Sequence, residues 1–291
     1  MSAHANRATG TLLMIAAELC WATAGVIVRS QSVTNGWEIT WWRSFFMVLF
    51  LLVVLRVRGS IVQQLRAAGV AGLVSGLLLA IMMVCFIIAI SQTNVANVLI
   101  IAATSPFFAA LLGYLFLREQ VPMRTWLAML VAFAGMALTF ADGVSMGGMA
   151  GILIAFAIPV AYGFNIIILR RMHASVDMVP ALMLGGLLSA FLAFPFSLPF
   201  TAAAADLAWL GLMGVLQLGI GCIFMMRAVR HLSAAEIGLF SPLEAIFGTL
   251  SVWLLIGEHP GSAALYGGLM VVGALAVNEF VAWRRARPAV A

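Results

Sequence analysis

Two carboxylates and one guanidinium of this sequence fall inside long apolar runs. Glu18 lies about nine residues into the first run, Arg43 about six residues into the second, and Glu244 about eleven into the ninth. A charge near the middle of a bilayer costs at least about 2.5–3.5 kcal/mol unless it is paired, protonated or faces water. Glu18 is therefore expected to couple protons or to recognise a substrate amine, unless it forms a structural ion pair with Arg43.

Arg43 also has two interpretations. It is expected to pair with Glu18 or Glu38, or to bind a substrate carboxylate with two parallel N–H donors. Glu244 has the same two interpretations as Glu18, a functional role or a structural one. Two acids at mid-depth, one in each half of the chain, predict an interior that attracts cations, because low-dielectric walls focus the electric field.

Other aromatic and amide side chains fall at depths where they would face the same interior. They suit stacking on a small amphipathic molecule or hydrogen bonding to it, and packing within a helix bundle is the alternative for each of them. The residues expected to line this interior besides Glu18, Arg43 and Glu244 are Trp21, Asn97, Tyr162, Asn165 and Gln217.

Proline residues inside apolar runs predict bent or broken helices. Pro106 should free the carbonyl of Ala102, and Pro159 should free that of Ala155. Broken helices at mid-depth are where transporters place hinges and substrate groups, although such a bend also serves packing. Pro242 is expected to bend the ninth run.

Two further acids, Glu119 and Glu258, end their helices at opposite faces of the membrane. A negative charge is unfavourable at a helix C-terminus, so each needs a partner. Arg118 or Arg124 is expected to serve Glu119, whereas Glu258 has only His259 nearby in sequence. Both acids are predicted to be structural or gating residues.

The elements that position these residues are predicted to be transmembrane helices. Of 291 residues, 64% are hydrophobic and 9% are charged, so a soluble protein of this size would have too few polar side chains to cover its surface. Apolar runs of about 20 residues, the length that crosses a bilayer, predict an all-α membrane protein with ten helices. These fall at about 10–29, 37–56, 66–90, 94–117, 124–141, 148–169, 178–197, 206–229, 233–256 and 262–283.

The arginines between the runs predict the orientation of the chain. With the N-terminus inside, thirteen arginines fall in cytoplasmic segments and only Arg29 falls in an outer loop. This positive-inside bias predicts a multi-pass inner-membrane protein with both termini in the cytoplasm. The net charge of +5 is spread over these short segments, which argues against a nucleic-acid partner.

The two halves of the chain resemble each other. A shift of 139 residues places Ala89 on Ala228 and Glu119 on Glu258 without a gap. Because each half holds five predicted helices, the second half must enter the membrane upside down. The sequence thus predicts two inverted five-helix repeats, residues 1–145 and 146–291, with a midplane substrate site between them and alternating access.

Several segments resemble EamA-type transporters of the drug/metabolite transporter superfamily. They are Ala16-Ala17-Glu18-Leu19-Cys20-Trp21-Ala22 and Trp42-Arg43, then Ser105-Pro106-Phe107 through Leu117-Arg118-Glu119, with an echo in Leu243-Glu244-Ala245 through Gly257-Glu258-His259-Pro260. The resemblance covers the whole chain, and its specificity comes from two copies at a fixed spacing. Ala245 stands where the family usually has proline, and Pro242 lies one helical turn earlier, so the bend of the ninth helix is expected to be displaced.

This resemblance implies a ten-helix bundle with a central cavity that exports small metabolites, often amino acids, including aromatic ones. Ala17-Glu18 is also similar to the membrane-embedded glutamate of the small multidrug resistance proteins, which exchange protons for cationic drugs. Proton-coupled export of organic cations is therefore the alternative within transport.

Other classes of function have less support. There is no His-Glu-x-x-His run, and the cysteines and histidines lack the spacing of a metal site, so neither catalytic nor metal-binding residues nor a cofactor are expected. A membrane sensor or scaffold is the non-transport alternative, but the predicted loops are all short. The expected partners are a small-molecule substrate, protons and the lipid bilayer, and the chain is expected to be a monomer or a homodimer.

Overall fold

The computed structural model describes residues 3–93, 95–139, 148–172, 178–257 and 262–286, and within these ranges all regular structure is helical. The α-helices, numbered in chain order, are α1 (Ala3–Ser30), α2 (Gly36–Val57), α3 (Ile61–Gln92), α4 (Val95–Ala102), α5 (Ser105–Leu117), α6 (Met123–Thr139), α7 (Met149–Ala155), α8 (Ala157–Met172), α9 (Val179–Ser197), α10 (Ala204–Leu212), α11 (Gly221–Ala228), α12 (Ala234–Phe240), α13 (Pro242–Ile256) and α14 (Ser262–Ala286). A π-helical segment, Met213–Ile220, joins α10 to α11.

Seven stretches of the described residues are long and apolar enough to cross a membrane. They are Gly36–Val57, Ile61–Phe86, Ile100–Leu117, Met149–Met172, Val179–Ser197, Ala204–Ala228 and Glu236–Leu255. Two shorter apolar helices, Met123–Thr139 and Leu265–Asn278, accompany them. The all-helical membrane protein expected from the sequence is confirmed, and the count of ten spans stays a prediction.

The break between α4 and α5 follows from Pro106 in the first turn of α5. Proline has no N–H to give to the preceding turn, so carbonyls there need other donors. The Ser105 hydroxyl donates to the carbonyl of Ala102 at 2.5 Å, and the Thr104 hydroxyl donates to that of Ile101 at 2.6 Å. The break predicted at Pro106 is confirmed, and local hydroxyl groups satisfy the freed backbone.

Two other helices are interrupted near a proline. Pro242 begins α13 directly after Ser241, where α12 has just ended, so the interruption falls one turn before Ala245 as expected. Pro159 lies in the first turn of α8, and α7 ends at Ala155. The π-helical segment contains no proline and was not predicted from the sequence.

Helices from the first half of the chain pack mainly against helices from the second half. α1 lies against α11 and α13, α8 lies against α3 and α5, α2 packs on α9, α6 on α14, and α5 on α12. Small residues allow some of these contacts to be very close. A Cβ added to Gly238 of α12 would lie 2.7 Å from the Cα of Pro106, so only glycine fits where α12 crosses the start of α5.

Candidate functional site

Glu18 lies on α1 in the interior of the bundle and is 0% exposed. Neither of its carboxyl oxygens has a hydrogen-bond partner among the described residues. A buried polar group without a partner costs about 1–3 kcal/mol, and more when it is charged. Glu18 is therefore not held in place by its polar contacts, which is typical of a group kept for binding.

The break between α12 and α13 positions Glu244 beside Glu18. Glu244 lies in the first turn of α13, and its charge acts on Glu18 and on Arg43. Its side chain is exposed, although both of these neighbours are buried. Glu244 thus faces an open space inside the bundle. We call the surroundings of Glu18, Arg43, Tyr162, Cys222 and Glu244 the central chamber.

Arg43 reaches the central chamber from α2 and is only 9% exposed. Its Nε has no hydrogen-bond partner among the described residues, and Glu244 is the acid whose charge acts on it most. The ion pair considered between Arg43 and Glu18 is absent from the described structure, since the Glu18 oxygens accept no hydrogen bond.

Glu38, the other partner considered for Arg43, is bound elsewhere. Its carboxylate accepts hydrogen bonds from the Thr201 N–H at 2.8 Å, the Thr201 hydroxyl at 2.7 Å and the Ala202 N–H at 2.9 Å. These contacts tie the start of α2 to the segment before α10. The sequence did not reveal them because they join residues more than 160 positions apart.

Two further interior polar groups have no partner among the described residues. Tyr162 on α8 is buried, its hydroxyl is unpartnered, and the charges of Glu18 and Glu244 act on it. Gln217 lies in the π-helical segment, which packs against α1 and α2, and its Oε1 is likewise unpartnered. Both residues were expected to face the substrate, and both retain unused hydrogen-bonding capacity.

Trp21 lies one turn after Glu18 on α1, and its indole packs against α11. A Cβ added to Gly221 would lie 2.7 Å from the indole Nε1, so glycine is needed for the ring to fit. Cys222 belongs to the apolar cluster against which this ring packs. The contact was not predicted from the sequence.

Asn97 and Asn165 are each hydrogen-bonded to a neighbouring residue, and their predicted place in the chamber wall stays a prediction. The Asn165 Oδ1 accepts a hydrogen bond of 2.6 Å from the Ser75 hydroxyl, which links α8 to α3. The Asn97 amide donates to the Thr93 hydroxyl at 3.0 Å, one turn earlier in the chain. These bonds make both amides part of the packing between neighbouring segments.

Glu119 is bound by a residue distant in sequence. One of its oxygens lies 2.6 Å from the Arg170 guanidinium, and the other accepts a hydrogen bond of 3.1 Å from the Ala234 N–H at the start of α12. The partner is thus Arg170, in place of the Arg118 or Arg124 that were expected. Arg170 also donates to the carbonyls of Val229 and Leu232.

Each face of the bundle is joined by carboxylates with several partners. At the face where α1 begins, Arg7 pairs with Glu236, which also caps α12 through Ser233. At the opposite face, the Asp206 carboxylate accepts hydrogen bonds from the backbone and hydroxyl of Ser32 at 2.8 and 2.7 Å. Glu258 lies outside the described residues.

The central chamber brings together polar groups that can bind a small molecule. No group of three or more His, Cys, Asp or Glu residues in the described part of the chain is placed to hold a metal ion. What the chamber offers is two carboxyls, one guanidinium, a phenol and an indole near one another. Such a set recognises a small molecule that carries an amine, a carboxylate or both.

Comparison with known proteins gives relatives along the whole chain. The sequence model of the EamA-like transporter family matches residues 8–141 and again residues 149–279. The pseudopaline exporter CntI of Pseudomonas aeruginosa is 26% identical over 271 residues, which cover 91% of this chain and 93% of that protein. Solute carrier family 35 member G1 of Mus musculus is 23% identical over 282 residues, which cover 90% and 76%.

Several solved structures share the fold, and one of them is a crystal structure of a protein. Its TM-score is 0.81 at 19% sequence identity, and the match covers 96% of this chain and 99% of that chain. At this identity the likeness concerns the fold alone.

Proposed function

The chain belongs to the EamA-like transporter family and is a membrane transporter of the drug/metabolite type, and from this premise we propose that it exports small zwitterionic metabolites, amino acids first among them. Similarity to a pseudopaline exporter over 91% of this chain supports export as the direction. The substrate class is proposed from the residues of the central chamber.

The observation that carries this proposal is that the central chamber holds groups of opposite charge with buried atoms that lack a hydrogen-bond partner among the described residues. Glu18 has two free carboxyl oxygens, and Arg43 has a free Nε, yet the two do not pair. A zwitterion supplies the missing partner to each: its amine suits the carboxyls of Glu18 and Glu244, and its carboxylate suits the guanidinium of Arg43. Binding would then satisfy groups that folding leaves unsatisfied.

The interrupted helices also suit a carboxylate. α5 begins at Ser105 and α13 begins at Pro242, both within a membrane span and next to a break. The N-terminus of a helix carries a partial positive charge, and broken helices in transporters present this end to anionic substrate groups. The acid at Glu244 offsets this positive charge on α13, whereas the first turn of α5 contains no acidic residue. The start of α5 is therefore a second candidate, besides Arg43, for contact with the carboxylate end of the substrate.

Alternating access between two inverted repeats is the proposed mechanism. Two observations support it. One family model matches both halves of the chain, and the main helix contacts between the halves have counterparts in which the two halves exchange places. For example, α1 against α13 corresponds to the pair α8 and α5. With α1, α6 and α14 added to the seven apolar stretches, the chain would have ten spans. The proposed repeats are residues 1–145 and 146–291.

The contacts at the two faces of the bundle are proposed as gates. Glu119 with Arg170 closes the face where α1 begins, which the arginine distribution predicts to be cytoplasmic, together with both termini. The breaks near Pro106, Pro159 and Pro242 would serve as hinges, because chain segments at a break absorb changes of dihedral angle. Glu258 is proposed to have the gating role at the opposite face.

The test is efflux from proteoliposomes loaded with pooled labelled amino acids and labelled organic cations. Wild-type protein should release amino acids faster than protein-free liposomes. Arg43→Gln should abolish this release, and Arg43→Lys should retain part of it, because lysine keeps the charge but lacks the two parallel donors. Equal amino-acid efflux from wild type and Arg43→Gln would contradict a role for Arg43 in binding the carboxylate.

Proton-coupled export of organic cations is the second candidate. It is favoured by the excess of acids in the central chamber, where Glu18 and Glu244 face a single guanidinium. An imposed pH gradient separates the two candidates: cation release that requires the gradient and is lost in Glu18→Gln would support proton exchange. Amino-acid release that ignores the gradient would support the zwitterion exporter.

A further inference from the structure

The contact between α6 and α14 is tight at one end and leaves open space at the other. A Cβ added to Gly135 would lie 2.6 Å from the carbonyl oxygen of Gly267, whereas a Cβ added to Gly273 would meet nothing within 4 Å. The helices therefore leave a groove of about 430 Å³ on the outside of the bundle. It is lined by Arg124, Leu127, Ala128, Val131, Leu269, Met270, Gly273, Ala274, Val277, Asn278 and Val281.

The groove walls are apolar and open toward the surroundings. Leu127 is 56% exposed, Leu269 is 69% exposed and Val277 is 63% exposed. In a protein with several membrane spans, such a surface faces lipid. From Val281 to Leu269 the groove follows α14 for about 18 Å at 1.5 Å per residue. This is a little more than half of the roughly 30 Å hydrocarbon thickness, the depth that one acyl chain occupies in one leaflet.

One end of the groove is polar and carries a positive charge. Arg124 is the second residue of α6, and it is the one charged residue among those described as lining the groove. Its Nε is shielded from solvent and has no hydrogen-bond partner in the described part of the chain. The neighbouring polar pair is satisfied internally, because the Thr125 hydroxyl donates to the Asn278 Oδ1 at 3.1 Å.

From this arrangement we propose that the groove binds a phospholipid with an anionic headgroup, its phosphate at Arg124 and one acyl chain between α6 and α14. The N-terminus of α6 adds positive potential at the same place. The arginine distribution predicts that this end lies at the cytoplasmic leaflet, where anionic lipids attract basic residues. A zwitterionic lipid would use the same apolar wall, but the cation of its headgroup would offset the attraction of its phosphate to Arg124.

Native mass spectrometry of the full chain in detergent tests the headgroup. The protein is incubated with equimolar phosphatidylglycerol and phosphatidylcholine that carry identical acyl chains. Wild type should retain phosphatidylglycerol about fivefold over phosphatidylcholine, the ratio expected when one arginine lies near a headgroup with a net negative charge. Arg124→Gln should bring the ratio near one, whereas Arg66→Gln, an exposed arginine on α3, should leave it unchanged.

A second pair of variants tests the acyl chain. Gly273→Leu places a side chain in open space within the groove and should lower retention of both lipids at least fivefold, while Ala276→Leu, exposed on α14 but outside the groove, should not. An unchanged headgroup ratio in Arg124→Gln, or full lipid retention in Gly273→Leu, would overturn the proposal. A dimer that Gly273→Leu dissociates would overturn it as well, by assigning the groove to a second copy. None of these readouts depends on transport.

Discussion

The carboxylates at the two faces of the bundle and those in the central chamber are held in opposite ways. Each carboxylate described at a face has an ion pair or at least two hydrogen bonds, and those residues are Glu38, Glu119, Asp206 and Glu236. Glu18 in the chamber has none from the described residues. A bonded carboxylate contributes to folding and an unbonded one opposes it. The comparison indicates that the face acids stabilise the bundle and that Glu18 is retained for binding.

Glu18→Gln is the variant for which we expect the largest effect, and it tests whether the chamber acid is retained for binding. We expect transport to fall about a hundredfold, the loss of one charged hydrogen bond of about 3 kcal/mol to substrate or proton. The melting temperature should stay the same or rise, because the carboxyl has no described partner to lose. Proteoliposome efflux and thermal unfolding in detergent measure the two effects.

Glu38→Gln is the matched control, since it also replaces one buried glutamate by its amide. It should lower the melting temperature and leave transport nearly intact. If Glu18→Gln instead unfolds the protein while substrate binding survives in the folded fraction, Glu18 is structural and the comparison fails.

Glu119→Ala should have the next largest effect, on stability. Removing the carboxylate leaves Arg170 without its ion pair and the Ala234 N–H without an acceptor, which should cost about 2 kcal/mol. Glu119→Gln keeps an acceptor for Ala234 and should lose less. Thermal unfolding of the two variants side by side measures the difference, and equal melting temperatures in both variants and wild type would show that the face contacts do not stabilise the bundle.

Gly221→Ala should lower transport about tenfold, because the new methyl group forces Trp21 out of its position beside the central chamber. Overpacking of this kind costs about 1–3 kcal/mol. Gly248→Ala on α13 is the control, since the nearest atom to its added Cβ is the carbonyl oxygen of Ala22 at an ordinary 3.7 Å. Efflux measures both, and an active Gly221→Ala variant would separate Trp21 from substrate binding.

Ser105→Ala should have the smallest effect, a loss of about 1 kcal/mol in stability, because the Ala102 carbonyl at the helix break loses its hydroxyl donor. Ser251→Ala is the matched control. Its hydroxyl also donates to a carbonyl, that of Gly248 at 2.8 Å inside the continuous helix α13, and it has a longer contact of 3.5 Å with the Ala22 carbonyl on α1. Equal thermal unfolding of the two variants would mean that the break does not depend on Ser105.

The sequence predicted the features that depend on local chemistry. Apolar runs predicted the spans, and Pro106 and Pro242 predicted where helices break, because a missing N–H acts within one turn. The sequence also identified Glu18, Arg43 and Glu244 as interior charges, and in the structure the charge of Glu244 acts on both of the other groups. Their roles in binding stay predictions.

What the sequence did not predict depends on contacts between distant segments. Arg170 could not be chosen as the partner of Glu119, because the nearer Arg118 and Arg124 satisfied the same electrostatic rule. From the sequence alone, an asparagine that faces the chamber cannot be distinguished from one that is hydrogen-bonded within the bundle. The hydrogen bonds of Asn97 and Asn165 to their neighbours are visible only in the folded structure. The π-helical segment lacks a sequence signal of its own.

That π-helical segment, Met213–Ile220, gives the wall beside α1 and α2 a property that a regular helix lacks. A π turn holds one residue more than an α turn, so it acts as a dislocation in the helix. If the π turn moved by one residue along the helix, the side chain between its old and new positions would rotate by about 100° about the helix axis. The backbone hydrogen bonds would be re-formed in the new register. Gln217 lies within the π-helical segment and would exchange its place with an apolar neighbour. Such a shift would change the polarity of this wall while both ends of the helix stay where they are.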